Sequence, residues 1–414
     1  MSYQNKARIQ LTIPIILLGM LILLMGGNFF PSEYLPNRIA SSNSATKDSV
    51  NLREMFRVTL DSVRIRYGFP GATAAYMWKD GEFGAAATGL SDLENGALMT
   101  AKSRMLSASI GKTFVGAIAV QLAHEGVLDL DVPIQQWLGD RTWFQRLPNH
   151  KRITLRQLLT HRSGLPNHVF MPEFADQANR RWREQKLPFP PDSLVQFVLD
   201  KPPLFEAGKG WAYTDTGFIL AGMIIEEATN RDYYEIVQDQ FLKPLELTYT
   251  SPSNSRHLPG LASGYAEENP FGFPVKTTLD DGKMAWHPGI EWTGGGLVTT
   301  SGDLARWGAA LFSGKALPEA SRKLLLTSSS IDPSNPDVHY GMGVAIYQKS
   351  QFGTVYGHGG WIPGYTSSLR YYSEYGVAIA FQINTDIGIM NDTSSVVPKM
   401  ESKLAETVLS SRER

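Results

Sequence analysis

The chain is organised around Ser109-Ile110-Gly111-Lys112, which stands directly before an apolar run from Thr113 to Leu122. The run is apolar on nearly every side, which predicts a helix buried in a core, with Ser109 in its first turn. A serine and a lysine three positions apart share one helical face, so the hydroxyl and the amine can meet. Burial favours the neutral amine, which can accept the hydroxyl proton. The same spacing recurs in the polar stretch Ser44-Ala45-Thr46-Lys47, so spacing alone does not identify a site.

The composition restricts the possible function classes. With 414 residues, 43% of them hydrophobic, the chain can bury a large core. A formal net charge of −1 gives no electrostatic basis for binding nucleic acid, and the lack of cysteine excludes disulfides, thiolate metal sites and a cysteine nucleophile. The histidines are scattered, and Gly294-Gly295-Gly296 lacks the spacing of a phosphate-binding loop. We therefore expect no metal, no cofactor and no nucleic-acid partner.

The N-terminus carries a targeting or membrane segment. Lys6 and Arg8 precede an apolar stretch from Ile9 to Phe30. Its uninterrupted part, Ile13 to Gly27, is at the upper limit for a signal-peptide core and slightly short for spanning a bilayer core of about 30 Å. No pair of small residues suited to cleavage follows directly, which favours an uncleaved anchor over a cleaved signal. The basic residues place the N-terminus in the cytoplasm and the remainder outside, in the periplasm or at the cell surface. We expect an anchor or signal segment over 1–30, a polar linker over 31–49 and a single domain over 50–414.

Strands are predicted near both ends of this domain, with helices between them. The Asp80-Gly81 pair indicates a hairpin turn between two strands, and two further strands precede a closing helix. The predicted strands cover Ala72 to Trp78, a segment from Glu82 onward, Leu369 to Tyr372 and Val377 to Ile383. The predicted helices cover Asn51 to Arg66, Ile153 to Thr160 and Gly217 to Glu227, and a last helix has Val397, Met400, Leu404 and Val408 on one face. This order predicts an α+β domain whose sheet is completed by the C-terminus.

Three further stretches carry residues suited to acyl transfer. They are Leu158 to Pro166, Tyr213-Thr214-Asp215, and Gly357-His358-Gly359-Gly360-Trp361. Together with the serine-x-x-lysine stretch, they make the chain from about Val50 to the C-terminus resemble the serine β-lactamase-like hydrolases. That group includes class C β-lactamases, D-alanyl-D-alanine carboxypeptidases and related esterases and amidases. The stretches Gly126 to Asp131 and Thr293 to Thr300 are also similar to this family.

The resemblance implies a β-lactamase/transpeptidase-like fold, in which an antiparallel sheet from both chain ends is flanked by helices and a mostly helical subdomain is inserted. It implies an extracytoplasmic serine hydrolase that forms an acyl-enzyme with an ester, amide or peptide. Ser109 would be the nucleophile, Lys112 and Tyr213 would handle protons, and the backbone N–H groups of Ser109 and Trp361 would hold the oxyanion. Substrate contacts would come from Asp215, His358, Gly359, Gly360 and Trp361.

Two positions depart from the family pattern. Asp215 stands where most members have asparagine, and a carboxylate cannot donate a hydrogen bond to a substrate carbonyl. Either penicillin-like substrates are disfavoured, or Asp215 pairs with Lys112 and reduces its value as a base. His358 stands where many members have lysine, so any grip on a substrate carboxylate through its charge would depend on pH.

The alternative to an enzyme is a membrane-tethered binding or scaffold protein on a catalytically decayed fold of the same kind. Retention of Ser109, Lys112 and Tyr213 together favours the enzyme. The substrate is not readable from the sequence, because the regions expected to shape the pocket, Asn167 to Pro191 and Arg256 to Glu291, show no periodicity. His161 is expected to be structural, within its turn.

Overall fold

The computed structural model describes residues 45–184, 186–267, 271–387 and 396–412, with side chains from Asn51 onward. Within these ranges, no helix is both long enough and apolar enough to cross a membrane. The apolar N-terminal stretch over 9–30 lies outside the described residues, so its role as an anchor stays a prediction.

A large antiparallel sheet joins the two ends of the domain, as the sequence predicts. Its strands, in chain order, are β1 (Gly71–Trp78), β2 (Phe83–Asp92), β3 (Ala97–Leu98), then β7 (Ser329–Ser330), β8 (Val338–Tyr340), β9 (Ala345–Ser350), β10 (Gly353–Ile362), β11 (Tyr365–Tyr372) and β12 (Val377–Ile383). The spatial order is β3-β2-β1-β12-β11-β10-β9-β8-β7, so the first and last strands are neighbours. In their register, Thr73 lies opposite Gln382. A smaller sheet contains β4 (Met105–Leu106), β5 (Ser251–Pro252) and β6 (Leu297–Thr299).

Helices cover both faces of the large sheet and fill the segment between its halves. They are α1 (Ala45–Tyr67), α2 (Lys112–His124), α3 (Gln135–Leu138), α4 (Leu155–Leu159), α5 (Pro172–Arg183), α6 (Pro191–Val195), α7 (Asp215–Thr229), α8 (Tyr233–Val237), α9 (Ser301–Ser313), α10 (Glu319–Leu325) and α11 (Val396–Leu409). Helices α1 and α11 pack on one face, and α9 packs on the other. Because β-strand side chains alternate between faces, the central strand β1 contributes to two apolar cores, with Ala74 in one and Ala75 in the other.

The predicted helix after Ser109 is present and deeply buried, and aromatic packing fixes it to α9. Phe114 stacks on Trp307 with ring centroids 3.9 Å apart, and the Trp307 indole N–H donates to Thr113 Oγ1 at 2.8 Å. Both rings are almost completely buried. This contact joins the helix that directly follows the nucleophile candidate to a helix that lies against the large sheet.

Three local expectations differ from the structure. Helix α1 begins at Ala45, inside the segment expected to be a polar linker. Ser109 lies in a 3₁₀ turn, Ala108–Gly111, that precedes α2 and is not part of the α-helix itself. The region over 167–191, in which the sequence shows no periodicity, contains helix α5, whose Phe174 is buried in the core.

Candidate active site

A tight backbone turn positions Ser109. Ala108 has φ +48°, a conformation that side-chain-bearing residues adopt rarely and mostly where the surrounding structure imposes it. A Cβ at Gly111 would overlap the Gly295 carbonyl oxygen, so the turn packs directly against the glycine-rich stretch Gly294 to Gly296. This close approach requires glycine at 111, and it holds the Ser109 side chain at the wall of a cleft.

Lys112 is completely buried, and its amine has three acceptors. Its Nζ lies 3.0 Å from Ser109 Oγ, 2.5 Å from Asp215 Oδ1 and 2.5 Å from the Gly294 carbonyl oxygen. An ammonium has three N–H donors and no acceptor, so this environment suits the charged form. Of the two alternatives for Asp215, the structure has the ion pair with Lys112. The resting site therefore differs from the neutral amine expected from the sequence.

Asp215 is the first residue of α7, where the helix dipole favours a negative charge. Its second oxygen accepts a hydrogen bond from Asn167 Nδ2 at 3.1 Å. Burial alone would raise the pKa of Asp215, but the Lys112 ammonium, with the Asn167 bond, outweighs burial and holds it below its ordinary value. The carboxylate is thus ionised at neutral pH, although it also borders the cleft.

Tyr213 lies against the same lysine, with Lys112 Nζ 5.0 Å from its ring centroid. Its buried hydroxyl makes no hydrogen bond of normal geometry to the described residues, although the Ser109 hydroxyl is near enough to favour the phenolate. Burial, followed by the charge of Asp215, outweighs that effect and raises the pKa of Tyr213 well above its ordinary value. Tyr213 is therefore a neutral phenol in the resting site. The structure thus brings together Ser109, Lys112 and Tyr213, as expected.

The structure corrects the expectation for His358. The imidazole is buried behind Tyr213, where its Nε2 lies 2.8 Å from Tyr340 Oη and its Nδ1 2.5 Å from the Gly359 carbonyl oxygen. Burial, with the nearby Lys112 charge, lowers its pKa to about 3. A neutral histidine held inside the protein cannot grip a substrate carboxylate by its charge, so the pH-dependent contact expected from the sequence is wrong.

The remaining residues of that motif bring strand β10 to the nucleophile turn. A Cβ at Gly360 would overlap the Ser107 carbonyl oxygen and lie 3.2 Å from the Ala108 side chain. Glycine is therefore needed for the strand to approach the turn. Trp361 follows at the cleft, where its indole N–H donates to Asp386 Oδ2 at 2.9 Å. His161, expected to be structural, is fully buried and lies against the Tyr213 ring, at a centroid distance of 4.2 Å.

The cleft in front of Ser109 encloses about 570 Å³, including its open mouth. Its wall is mainly apolar and aromatic, and the residues come largely from the two regions expected to shape the pocket. The lining consists of Ser109, His168, Val169, Phe174, Asp215, Phe271, Phe273, Trp286, Ile290, Glu291, Gly294, Trp361, Ile362 and Pro363. An apolar chamber with a few polar groups at one end is typical of a site for a small molecule.

Glu291 is a carboxyl group in this wall that the sequence did not single out. Its Oε2 is buried and has no hydrogen-bond partner among the described residues. Burial, with the charge of Asp215 and against that of Lys112, raises the pKa of Glu291 to about 8. Asn167 and the Gly294 carbonyl oxygen were also missed. The roles of all three groups depend on tertiary contacts, which leave no local motif in the sequence.

A family model described as Beta-lactamase matches residues 52–394. The chain belongs to the beta-lactamase family. Among curated relatives, Penicillin-binding protein 4* of Bacillus subtilis (strain 168) is 24% identical over 288 residues, which are 67% of this chain and 60% of the relative. Protein flp of Staphylococcus aureus (strain COL) is 24% identical over 182 residues, 44% of this chain and 34% of that protein. The chain thus matches less than two thirds of the length of either relative.

Solved structures of similar proteins share the β-lactamase/transpeptidase-like fold. A D-stereospecific amidohydrolase from Streptomyces sp. superposes with a TM-score of 0.71 and 28% identity, covering 83% of this chain and 97% of that one. The D-amino acid amidase from Ochrobactrum anthropi SV3, complexed with L-phenylalanine amide, gives a TM-score of 0.70 and 25% identity, covering 88% of this chain and all of the other (100%). This beta-lactamase family member is therefore similar to hydrolases across nearly the whole described domain.

Proposed function

We propose that the protein is a serine amidohydrolase that forms an acyl-enzyme at Ser109 with small amides or short peptides carrying a large apolar or aromatic side chain. The observation that carries the proposal is the contact of Ser109 Oγ with the buried Lys112 amine, 3.0 Å away, at the end of an aromatic cleft. The similarity to a D-amino acid amidase supports an amide as substrate. The proposed location outside the cytoplasm rests on the basic and apolar N-terminal segment alone.

The ion pair determines how the Ser109 proton can leave. Lys112 first gives a proton to Asp215 Oδ1, 2.5 Å away, and the neutral amine then takes the Ser109 proton as Ser109 Oγ bonds to the substrate carbonyl carbon. Tyr213, a neutral phenol, donates its proton to the leaving nitrogen as the C–N bond breaks, and regains one from the lysine–aspartate pair. The net result is a serine ester and a free amine. Water then attacks the ester by the same route in reverse.

The test combines labelling with turnover. A fluorophosphonate should add one phosphonyl group at Ser109, located by peptide mass spectrometry, and Ser109→Ala should not react. Nitroanilides of phenylalanine should be hydrolysed at least about tenfold more efficiently than those of alanine, because the aromatic wall buries the larger side chain. Absence of labelling at Ser109, with no turnover, would support the decayed scaffold instead. Labelling by a penicillin would extend the substrate class to β-lactams despite Asp215.

A further inference from the structure

His168 is a buried histidine in the wall of the cleft that takes no part in the proposed acyl transfer. Its backbone N–H donates to Thr216 Oγ1 at 2.9 Å, and its ring Nδ1 lies 3.1 Å from the same oxygen. The preceding residue, Asn167, binds Asp215, so two consecutive residues hold this segment along the start of α7. The imidazole is therefore fixed near the Asp215 carboxylate, at the cleft.

The contacts of Thr216 assign the proton of the His168 ring. Thr216 Oγ1 accepts the backbone N–H, and among the described residues its own O–H has no acceptor other than Nδ1. The opposite assignment would leave that buried O–H unpaired, so Nδ1 accepts and the ring proton lies on Nε2. Burial, with the charge of Lys112 and against that of Asp215, lowers the pKa of His168 to about 4, so the ring is neutral at neutral pH.

The Nε2–H group of His168 is open to the cleft. In the described part of the chain it has no hydrogen-bond partner, yet it is not completely covered, as Nε2 of His161 is. Phe174 packs edge-on against the ring at a centroid distance of 5.2 Å, and the ring itself lines the cleft. The access to Nε2 is therefore from the cleft. A neutral donor thus faces the substrate space near Asp215, a carboxylate that can only accept.

We propose that His168 Nε2–H binds a second carbonyl oxygen of the substrate, so that peptides and N-acylated amino acid amides are preferred to free amino acid amides. The surroundings select this acceptor. A substrate carboxylate would be disfavoured near the ionised Asp215, and an ammonium group has no lone pair, whereas an amide carbonyl is a neutral acceptor. The next amide on the acyl side of the scissile bond supplies such an oxygen. This inference rests on the proposed acyl transfer at Ser109 and names the substrate class of that site.

The test compares two uncharged substrates, of which one lacks this carbonyl. They are N-acetylphenylalanine p-nitroanilide, in its faster enantiomer, and 3-phenylpropanoic acid p-nitroanilide, which has the same aromatic acyl chain without the acetamido group. His168→Leu removes the donor and keeps a bulky side chain, whereas His168→Gln keeps an N–H donor. The matched control is His124→Leu, the same change at an exposed residue at the end of α2.

His168→Leu should lower kcat/KM for the N-acetyl substrate by roughly 5- to 20-fold, mainly through KM, because the substrate carbonyl is left without its donor. The 3-phenylpropanoyl substrate should change by less than about threefold, within the spread of neutral hydrogen bonds. His168→Gln should stay within about threefold of the wild type on both substrates, and His124→Leu should change neither. Equal loss on both substrates, no loss on either, or a glutamine variant as impaired as the leucine variant would overturn the assignment.

A binding measurement separates this inference from the proposed function. Calorimetry on Ser109→Ala, with and without His168→Leu, requires no turnover and uses N-acetylphenylalanine amide and 3-phenylpropanamide as ligands. Ser109→Ala should bind the N-acetyl ligand at least about fivefold more tightly, and the double variant should lose this preference, even if Ser109 performs no chemistry. The same affinity ratio in both variants contradicts the inference while leaving acyl transfer at Ser109 untouched.

Discussion

Replacing Asp215 by asparagine should destabilise the protein strongly and in a pH-dependent way. The change keeps the shape but removes the charge that lies 2.5 Å from the fully buried Lys112 amine. Removing one partner of a buried ion pair typically lowers the free energy of unfolding by about 3–5 kcal/mol, because the other charge is left uncompensated. The lysine can avoid that cost by losing its proton. Deprotonating an ordinary lysine, whose pKa is about 10.4, costs about 1.36 kcal/mol for each pH unit below that value. The cost is therefore about 4.6 kcal/mol at pH 7 and about 1.9 kcal/mol at pH 9.

The sign of the pH dependence follows from proton counts. A lysine that is neutral in the folded variant and charged when unfolded gives the unfolded state more protons, so stability of Asp215→Asn should rise with pH up to about 10. In the wild type, the lowered pKa of Asp215 contributes stability above its ordinary pKa, and this is lost as the pH falls through the folded value. The stability gap between the two proteins should therefore be wide at both pH 4 and pH 7 and narrow towards pH 9. In acid it narrows only once the pH falls below the lowered folded pKa of Asp215.

Denaturant unfolding of both proteins at pH 4, 7 and 9 measures this gap. The matched control is Asp281→Asn, which breaks the exposed pair with Lys283 and should leave the unfolding midpoint nearly unchanged. An Asp215→Asn variant as stable as the wild type at pH 7, or a gap that does not vary with pH, would refute a buried charged lysine held by this carboxylate.

Two further predictions concern the site, and a third concerns the N-terminal segment. Ser109→Ala should abolish hydrolysis of activated esters while circular dichroism shows an intact fold, and more than trace activity would contradict the nucleophile assignment. Asp215→Asn should raise kcat/KM for a chromogenic cephalosporin relative to kcat/KM for a nitrophenyl ester, because the asparagine amide can donate a hydrogen bond to an acylamide carbonyl. An unchanged ratio of the two values would mean that residue 215 does not face the substrate. Protein from its native host should fractionate with membranes and retain residues near Met1, and a mature N-terminus between Asn28 and Val50 would contradict the anchor.

The sequence predicts the fold well where local patterns and the family resemblance agree. The β1–β2 hairpin, the buried helix α2 and the last two strands all occur where the apolar patterns and the Asp80-Gly81 turn place them. The 3₁₀ turn at Ser109 was not predictable, because it depends on the close approach of Gly111 to Gly295, far away in the chain.

The sequence predicts only part of the site, because the rest depends on contacts between distant residues. Spacing and resemblance lead to Ser109, Lys112 and Tyr213, which the structure brings together. They do not show that His358 turns into the protein, since the burial of a side chain on a central strand depends on what packs over it. Glu291 lies in a region without periodicity, and only the folded chain reveals that its Oε2 atom is buried without a hydrogen-bond partner among the described residues.

The pairing of β1 with β12 links assembly of the site to completion of the chain. The turn carrying Ser109 packs against β10 and β11, and within the large sheet these strands are joined to the start of the domain through β12. Contacts between such distant parts of a sequence form late and slowly, because a long loop has to close first. We therefore expect a nascent chain to contain Ser109 before the turn that positions it can assemble, because that assembly requires the last strand of the sheet.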